Sequence, residues 1–186
     1  MAVNIALPLN EVDAAPEARA VFAEAREALR TPFTPGLIRS LAQWPAYLAY
    51  VWEQLRPSIE TAGFRGSAQY LAAMAREAVD QFYEATYARN TLLDSGLSEF
   101  DIETIAGGLE VLHLTNPQCL LIAGALTEAL ERPRVGGMGR PEPRDISEEE
   151  RRILAYEWRM LDEGEMSADM RRLAADVREV LGLPFL

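Results

Sequence analysis

The sequence predicts an all-α protein of about eight helices, on the strength of three observations. Apolar residues recur at spacings of three and four through most of the 186 residues, as they do on amphipathic helices. Proline and glycine fall mainly between those periodic segments, where helices begin and end. Nothing in the chain shows the alternation of apolar and polar residues that is typical of a strand.

The N-terminal part of the chain predicts an irregular arm followed by three helices. Pro16 suits a first helical turn, so the first helix is expected over residues 16–30. The segment TPFTPG then ends that helix, because each proline moves the preceding residue out of α geometry. A short helix is expected over residues 37–43, and Pro45 opens the third. The apolar stripe of the third helix is Leu48, Val51, Trp52, Leu55 and Ile59.

The middle of the chain predicts a turn and a fourth helix. Gly63 and Gly66 bracket the expected turn. The fourth helix then extends toward Tyr87, and residues 94–96 mark a further stop. Its apolar stripe is predicted to be Leu71, Met74, Ala75, Ala78 and Phe82.

Two further helices are predicted before residue 132. Ser98 with Asp101 three residues later is a capping-type start. The apolar face of the helix that follows is predicted to be Ile102, Ile105, Leu109 and Leu112. Asn116 and Pro117 then combine an N-cap residue with proline at the first helical position. They predict the start of a separate, unusually apolar helix that contributes to the core.

The C-terminal part of the chain predicts a linker and two helices. Residues 132–146 are rich in proline and glycine and show no periodicity, so they are expected to form the linker. Ser147 with Glu150 is a capping box, and the helix behind it carries Leu154, Trp158 and Leu161. Ser167 starts the last helix. Its predicted stripe is Met170, Leu173, Ala174, Val177 and Leu181.

The composition excludes several classes of function. The net charge is −11, and all 18 basic residues are arginine. An acidic chain without a basic run is poorly suited to nucleic acid or an anionic membrane surface. Without lysine, Schiff-base chemistry and a phosphate-binding P-loop lysine are excluded. One cysteine and one histidine exclude an intrachain disulfide and an ordinary zinc site, and no cofactor is predicted.

The chain shows no sequence feature of export or of membrane insertion. The first residues lack the basic region of a signal peptide, and no apolar run approaches a membrane span. A soluble cytoplasmic protein is therefore expected.

A short internal repeat predicts the domain organisation. Residues 23–33 and residues 175–185 are identical at six of eleven positions, and their apolar stripes share one register. We expect an irregular arm over 1–15, a first helical repeat over 16–131, a linker over 132–146, and the opening helices of a second repeat over 147–186. A chain with an uncovered repeat face is expected to self-associate as a homo-oligomer.

Few polar side chains suggest catalysis on their own. Asp101 is a candidate base for activating water, although its place in the first helical turn is also explained by capping. Asp80 is expected to be solvated, and Asp94 is expected to lie in a turn. His113 is expected at a helix end, where a cation complements the dipole, and Cys119 is expected to be a small core residue.

Four aromatic residues lie close together at the start of the third helix. Trp44, Tyr47, Tyr50 and Trp52 fall within nine positions, next to the proline-rich break. Such a cluster either lines a cleft or packs in the core, and the sequence alone leaves both interpretations open.

Three motifs in this region resemble one enzyme family. A proline-phenylalanine pair at residues 32–33 is followed by RSLAQWP at 39–45 and by WEQLRP at 52–57. Together with the Asn116-Pro117 helix and the linker, they resemble the group I halocarboxylic acid dehalogenases. The resemblance spans residues 16–186 and implies an all-α fold of two tandem repeats arranged as a pseudo-dimer.

The resemblance also implies a reaction and a site. An aspartate activates water, which displaces halide from a short 2-haloacid without a covalent ester, and aromatic side chains hold the apolar part of the substrate. The aspartate is expected shortly after the Pro-aromatic exit of the second repeat, and the equivalent place in the first repeat is at or near Gly36. The implied pocket residues are Phe33, Gly36, Trp44, Tyr47 and Tyr50.

Three hypotheses about function follow from these observations. The first is a hydrolytic dehalogenase that binds a small 2-haloacid carboxylate. The second is a non-catalytic protein of the same family that self-associates through the surface a full second repeat would cover, because the expected aspartate position is missing and Gly36 cannot act as a base. The third is a helical domain that binds some other small molecule.

Overall fold

A computed structural model describes residues 7–84, 89–131, 139–141, 146, 148–156 and 164–181. Within those ranges every regular element is helical, so the all-α prediction is confirmed. The chain divides into two compact units, residues 1–156 and residues 157–186. Each unit is described by itself.

The helices follow the order predicted from the sequence, except that α5 was not predicted and that two predicted boundaries, given below, are wrong. A short 3-10 turn, Glu11–Asp13, precedes them. The helices are α1 (Pro16–Leu29), α2 (Gly36–Leu41), α3 (Pro45–Ile59), α4 (Ala62–Phe82), α5 (Arg89–Asp94), α6 (Glu99–Ala129), α7 (Glu148–Leu154) and α8 (Ala168–Leu181). In the described part of the chain, no helix is both long and apolar enough to cross a membrane.

The core of the first unit lies between α1 and α3, with α2 and part of α6 packed against them. All five residues of the predicted α3 stripe are buried, which confirms that prediction. Phe22, Ala25 and Leu29 of α1 are also buried as expected. Burying each of the large side chains contributes about 1.5–3 kcal/mol, and most of the buried apolar cluster belongs to this helix pair.

Side-chain and backbone hydrogen bonds hold the N-terminal arm against α1 and α2. Arg26 donates from Nη1 to both carboxylate oxygens of Glu11, at 3.0 and 2.8 Å. The Gln43 amide donates to the carbonyl of Leu7 at 2.6 Å, and the Leu9 amide donates to the carbonyl of Arg39 at 3.3 Å. Over residues 7–15 the arm contains the 3-10 turn and is docked by these bonds.

The turn predicted at Gly63 and Gly66 is wrong, because both residues lie inside α4. The helix begins one residue after Thr61, whose hydroxyl accepts a hydrogen bond from the Phe64 amide at 3.1 Å. A glycine costs a helix only about 1 kcal/mol relative to alanine. The cap and the packing of Phe64 against the core outweigh that cost.

The helix boundary predicted at Asn116 and Pro117 is also wrong, because α6 continues through both residues. Proline removes one backbone hydrogen bond and costs a helix about 3 kcal/mol. One face of α6 is anchored on both sides of Pro117, and that anchoring offsets the loss. The buried residues of this face are Val111, Thr115, Gln118 and Ile122.

Two predicted apolar faces are only partly covered. On α4, Met74 is 48% exposed and Phe82 is 86% exposed, because the C-terminal half of the helix extends beyond the α1–α3 core. That helix ends at Phe82 rather than near Tyr87, which lies outside the described residues. On α6, Ile102 is buried whereas Leu109 is 61% exposed.

The predicted linker and its capping box fall largely outside the described residues, as do Ser147, Trp158 and Leu161. Gly139 is described, and it lies against the α3–α4 connection. A Cβ added there would lie 2.6 Å from Thr61 Cγ2 and 2.9 Å from the Pro57 carbonyl oxygen, so only glycine fits. In the second unit, the hydroxyl of Ser167 accepts from the Met170 amide at 3.2 Å, which confirms the predicted start of α8.

Candidate functional site

The segment between α1 and α2 is held in one conformation by its threonines. Arg30 ends α1 in the left-handed conformation, with φ at 54°. Thr31 donates from its hydroxyl to the carbonyl of Phe33 at 2.8 Å, and Arg26 donates to the hydroxyl of Thr34 at 2.9 Å. Both threonines are buried, so the half-buried Phe33 is presented on a fixed backbone.

Gly36 is the first residue of α2, and its surroundings would accept a side chain. A Cβ added at Gly36 would meet only Pro8 Cγ, at 3.7 Å, which is an ordinary van der Waals distance. The backbone there is not in the left-handed region that favours glycine. The absence of a carboxylate at this position is therefore not imposed by the fold.

The aromatic cluster of α3 divides into a core residue and a surface group. Trp52 is buried, and its indole Nε1 donates to Glu24 Oε2 at 2.9 Å. Trp44, Tyr47 and Tyr50 are 54%, 42% and 52% exposed. Trp52 is thus a core aromatic, whereas the other three aromatic side chains remain accessible to a ligand or a partner.

The middle of α6 lies beside the end of α1. The Gln118 amide Nε2 donates to the Leu29 carbonyl at 3.1 Å, two residues before the exit segment begins. On another side of α6, a row of residues follows the helical repeat, and all of them are exposed except the half-buried Leu112. We name it the α6 stripe, and its members are Ile105, Leu109, Leu112, Asn116 and Leu120.

Asp101 acts as a helix-capping residue, as one of the two interpretations expected. Its Oδ2 accepts from the amide and the hydroxyl of Ser98, at 2.9 and 2.6 Å, while its own amide donates to that hydroxyl. These hydrogen bonds from Ser98 lower the pKa of Asp101 below its usual value. The carboxylate is ionised, is already hydrogen-bonded to Ser98, and belongs to an exposed residue.

The two other polar candidates, His113 and Cys119, both lie within α6. His113 was expected at a helix end, and this is wrong because α6 continues past it to Ala129. Cys119 is half-buried rather than part of the core, and burial raises the pKa of its thiol to about 11. Within the described ranges, no group of three or more His, Cys, Asp or Glu residues could hold a metal ion.

A cavity of about 520 Å³ lies among α1, α4, α6 and α7, and the sequence did not predict it. Its inner wall is formed by buried residues, which are Leu29, Ala68, Gln118 and Glu150. Its outer wall is charged and includes Arg65, Arg76, Glu77, Asp80, Glu110 and His113. Of the residues proposed from sequence, Asp80 and His113 line this cavity, whereas Phe33, Gly36 and the three exposed aromatics do not.

The alanines of α4 explain why a cavity remains between packed helices. Ala68 and Ala72 are one turn apart on the side of α4 that faces α6, and neither side chain reaches across the gap. A pattern of alanines on a polar helix face is the only sequence signal of this space, and it does not distinguish a cavity from close helix packing.

Comparisons with known proteins agree on one family. The family model for halocarboxylic acid dehydrogenase DehI matches residues 32–183. An (R)-2-haloacid dehalogenase of Pseudomonas putida is 32% identical over 80 residues, which are 42% of this chain and 27% of that protein. A configuration-inverting 2-haloacid dehalogenase of Alcaligenes xylosoxydans xylosoxydans is 25% identical over 137 residues, which are 69% of this chain and 43% of that protein.

Solved structures share the fold. A D-2-haloacid dehalogenase in complex with L-LA superposes with a TM-score of 0.84 at 21% identity, covering 100% of this chain and 65% of the other. A mutant D-2-haloacid dehalogenase with D-2-CPA superposes with a TM-score of 0.78 at 19% identity, covering 96% and 62%. The matches span less than half the length of the curated relatives and less than two thirds of the solved chains. The family match covers most of the present sequence, and the chain belongs to the halocarboxylic acid dehydrogenase DehI family.

Proposed function

We propose that this chain is a hydrolytic 2-haloacid dehalogenase, in which a carboxylate activates water and the water displaces halide from a short 2-haloacid. The observation that carries the proposal is the family match over residues 32–183. Two curated proteins that resemble the chain are named 2-haloacid dehalogenases, which supports the substrate class.

The substrate pocket is proposed to comprise Phe33, Gly36, Trp44, Tyr47 and Tyr50. The exposure of the last three side chains supports this, because aromatic surface outside the core is available for the apolar part of a ligand. The hydrogen bonds of Thr31 and Thr34 support it further, since a site on a fixed backbone does not have to be ordered when substrate binds. The cavity between α4 and α6 is a separate feature.

A second copy of the chain is proposed to close this pocket. Displacement by water needs a site from which bulk solvent is excluded. The α6 stripe offers an apolar surface for such a contact, because Ile105, Leu109 and Leu120 are 51%, 61% and 61% exposed. Sedimentation should therefore show a homo-oligomer that dissociates when Leu109 is replaced by glutamate.

The proposed organisation is a first repeat over 16–131, a linker over 132–146 and the start of a second repeat over 147–186.

The proposed reaction needs a carboxylate that activates water. Asp101 is the candidate retained from the sequence, although its hydrogen bonds with Ser98 make it a weaker proton acceptor. Gly36 supplies the complementary test, because a Cβ would make only an ordinary van der Waals contact there and an aspartate would lie at a helix N-terminus, which favours negative charge. The proposal assigns the reaction to the cytoplasm, in keeping with a single free cysteine.

Halide release from 2-chloropropionate by the purified chain, followed from pH 6 to pH 10, tests the proposed function. We expect release from the native chain, loss in Asp101→Asn if Asp101 is the base, and a higher rate in Gly36→Asp. Glu53→Gln, at an exposed position of α3, is the control. No release by native protein and by Gly36→Asp, with fold retained by circular dichroism, would contradict the proposal and support the non-catalytic alternative.

A further inference from the structure

The cavity between α4 and α6 carries charges of both signs at its open side. Arg76 and Asp80 are one helical turn apart on α4, and Glu110 and His113 lie across from them on α6. The two walls approach each other at Arg76, whose Nη2 is 3.4 Å from His113 Nε2. A ligand in this space therefore meets a guanidinium and carboxylates within the same opening.

The inner end of the cavity is shielded from solvent, and it combines an apolar surface with one buried ion pair. Leu29 is 1% exposed and Ala68 is 6% exposed, and Ala72 and Leu114 complete the apolar surface. The charged pair at this end is already matched, since Arg30 lies 3.7 Å from the buried Glu150. The inner end is therefore suited to an apolar group rather than to another ion.

The amide of Gln118 adds a neutral polar group to this end of the cavity, beside the Arg30–Glu150 pair. Its Nε2 donates to the carbonyls of Leu29 and Leu114, both at 3.1 Å. These two bonds fix the amide group, so its carbonyl oxygen has a defined position on the cavity wall.

We propose that this cavity binds a zwitterion with an apolar side chain, of the size of an aromatic α-amino acid. A simple carboxylate would gain from Arg65 and Arg76 but would be repelled by Glu77, Asp80 and Glu110. A simple amine would have the opposite conflict. In a ligand with both charges, the carboxylate pairs with the arginines and the ammonium group pairs with the acidic side chains, while the apolar side chain fills the inner end.

The volume supports a ligand of this size. About 520 Å³ lies within the range of small-molecule sites, and it exceeds what a three-carbon haloacid would fill. The ligand class is independent of the proposed dehalogenation, because the residues proposed for that reaction do not line this cavity.

Three probes that share one skeleton test the assignment by calorimetry or by ligand-observed NMR. These probes are L-phenylalanine, 3-phenylpropionate, which lacks the amino group, and 2-phenylethylamine, which lacks the carboxylate. We expect L-phenylalanine to bind at least about tenfold more tightly than either of the others. Equal binding of 3-phenylpropionate and L-phenylalanine, or no binding of any probe by folded protein, would overturn the proposal.

Charge-neutralising variants identify the two contacts separately. Arg76→Gln should weaken L-phenylalanine about tenfold and leave 2-phenylethylamine unchanged, and Asp80→Asn should weaken L-phenylalanine and leave 3-phenylpropionate unchanged. Arg172→Gln and Asp169→Asn, which alter an exposed pair on α8, are matched controls that should change nothing. Equal losses for all three probes in either cavity variant would contradict the assigned contacts.

Filling the cavity provides a test that does not depend on charge. Ala72→Trp should abolish binding of all three probes while circular dichroism shows the native helix content. Should this variant fail to fold, the rim variants decide the matter, because they leave the inner wall intact. Adding 2-chloropropionate should not displace L-phenylalanine, and displacement would make this cavity the haloacid site and overturn the assignment.

Discussion

The side chain of Gln118 donates a hydrogen bond to the backbone carbonyl of Leu29, at 3.1 Å and across 89 positions of sequence. Both residues are buried, and the same Nε2 also donates to the carbonyl of Leu114. This contact attaches α6 to the end of α1, immediately before the segment that presents Phe33. It therefore couples the long helix to the proposed pocket.

Replacing Gln118 by leucine should destabilise the first unit by about 1–3 kcal/mol, because the buried Leu29 carbonyl would lose its side-chain partner. Urea denaturation measures the change. Thr127→Val is a useful control, because the Thr127 hydroxyl donates to the Ala123 carbonyl of the same helix at an exposed position. Equal stability of Gln118→Leu and native protein would show that the contact does not hold the helices together.

Gly139→Ala should lower stability by about 1–3 kcal/mol, because its Cβ would overlap Thr61 Cγ2 and the Pro57 carbonyl oxygen. Thermal unfolding provides the measurement. Thr61→Ser removes that methyl group and retains the capping hydroxyl, so it should partly rescue Gly139→Ala. An alanine at position 139 with native stability would contradict the docking of this residue on the α3–α4 connection.

The pair of Glu11 and Arg26 should make the stability of the arm depend on pH. Burial opposes ionisation of Glu11, but hydrogen bonds from Thr34 and Arg26 outweigh it and lower its pKa below 4.5. A carboxylate with a lowered folded-state pKa stabilises the fold above its unfolded pKa, and this contribution is lost as the pH falls through the folded value. Glu11→Gln should therefore destabilise the protein near neutral pH and make little difference in strong acid. Denaturation at both pH values, with Glu53→Gln as control, measures this, and a pH-independent difference would contradict it.

Cys119 should react slowly with thiol reagents in the folded protein. With a pKa of about 11, only about one thiol in a thousand is ionised at pH 8, and the side chain is half-buried. The reaction with a chromogenic disulfide should accelerate strongly in denaturant. Fast reaction of native protein at pH 8 would show that this part of α6 is more open than the structure indicates.

The α1–α3 core could be predicted because the signals for it lie close together in the sequence. The apolar stripes of these helices repeat at helical spacing, and prolines mark their ends, so the buried residues of α3 could be identified individually. The capping box of Ser98 and Asp101 was predicted for the same reason. Such features depend on residues within about one turn of each other.

The wrong predictions arose where distant contacts outweigh local preference. Gly66 and Pro117 usually interrupt helices, yet packing against the core carries α4 and α6 through them. The ion pair of Glu11 and Arg26 and the α4–α6 cavity likewise depend on which elements meet in space. The pocket inferred from family resemblance stays a prediction, supported by the exposure of its aromatic residues.

Solvent-oxygen incorporation tests the central claim most directly. The purified chain, in excess over 2-chloropropionate, is incubated in water enriched in oxygen-18, and the product hydroxyl and the protein carboxylates are examined by mass spectrometry. Direct attack by water predicts one labelled oxygen in the 2-hydroxyl of lactate from the first turnover, with no label in the protein. A label that enters a protein carboxylate, or the absence of lactate from folded protein, would contradict the account.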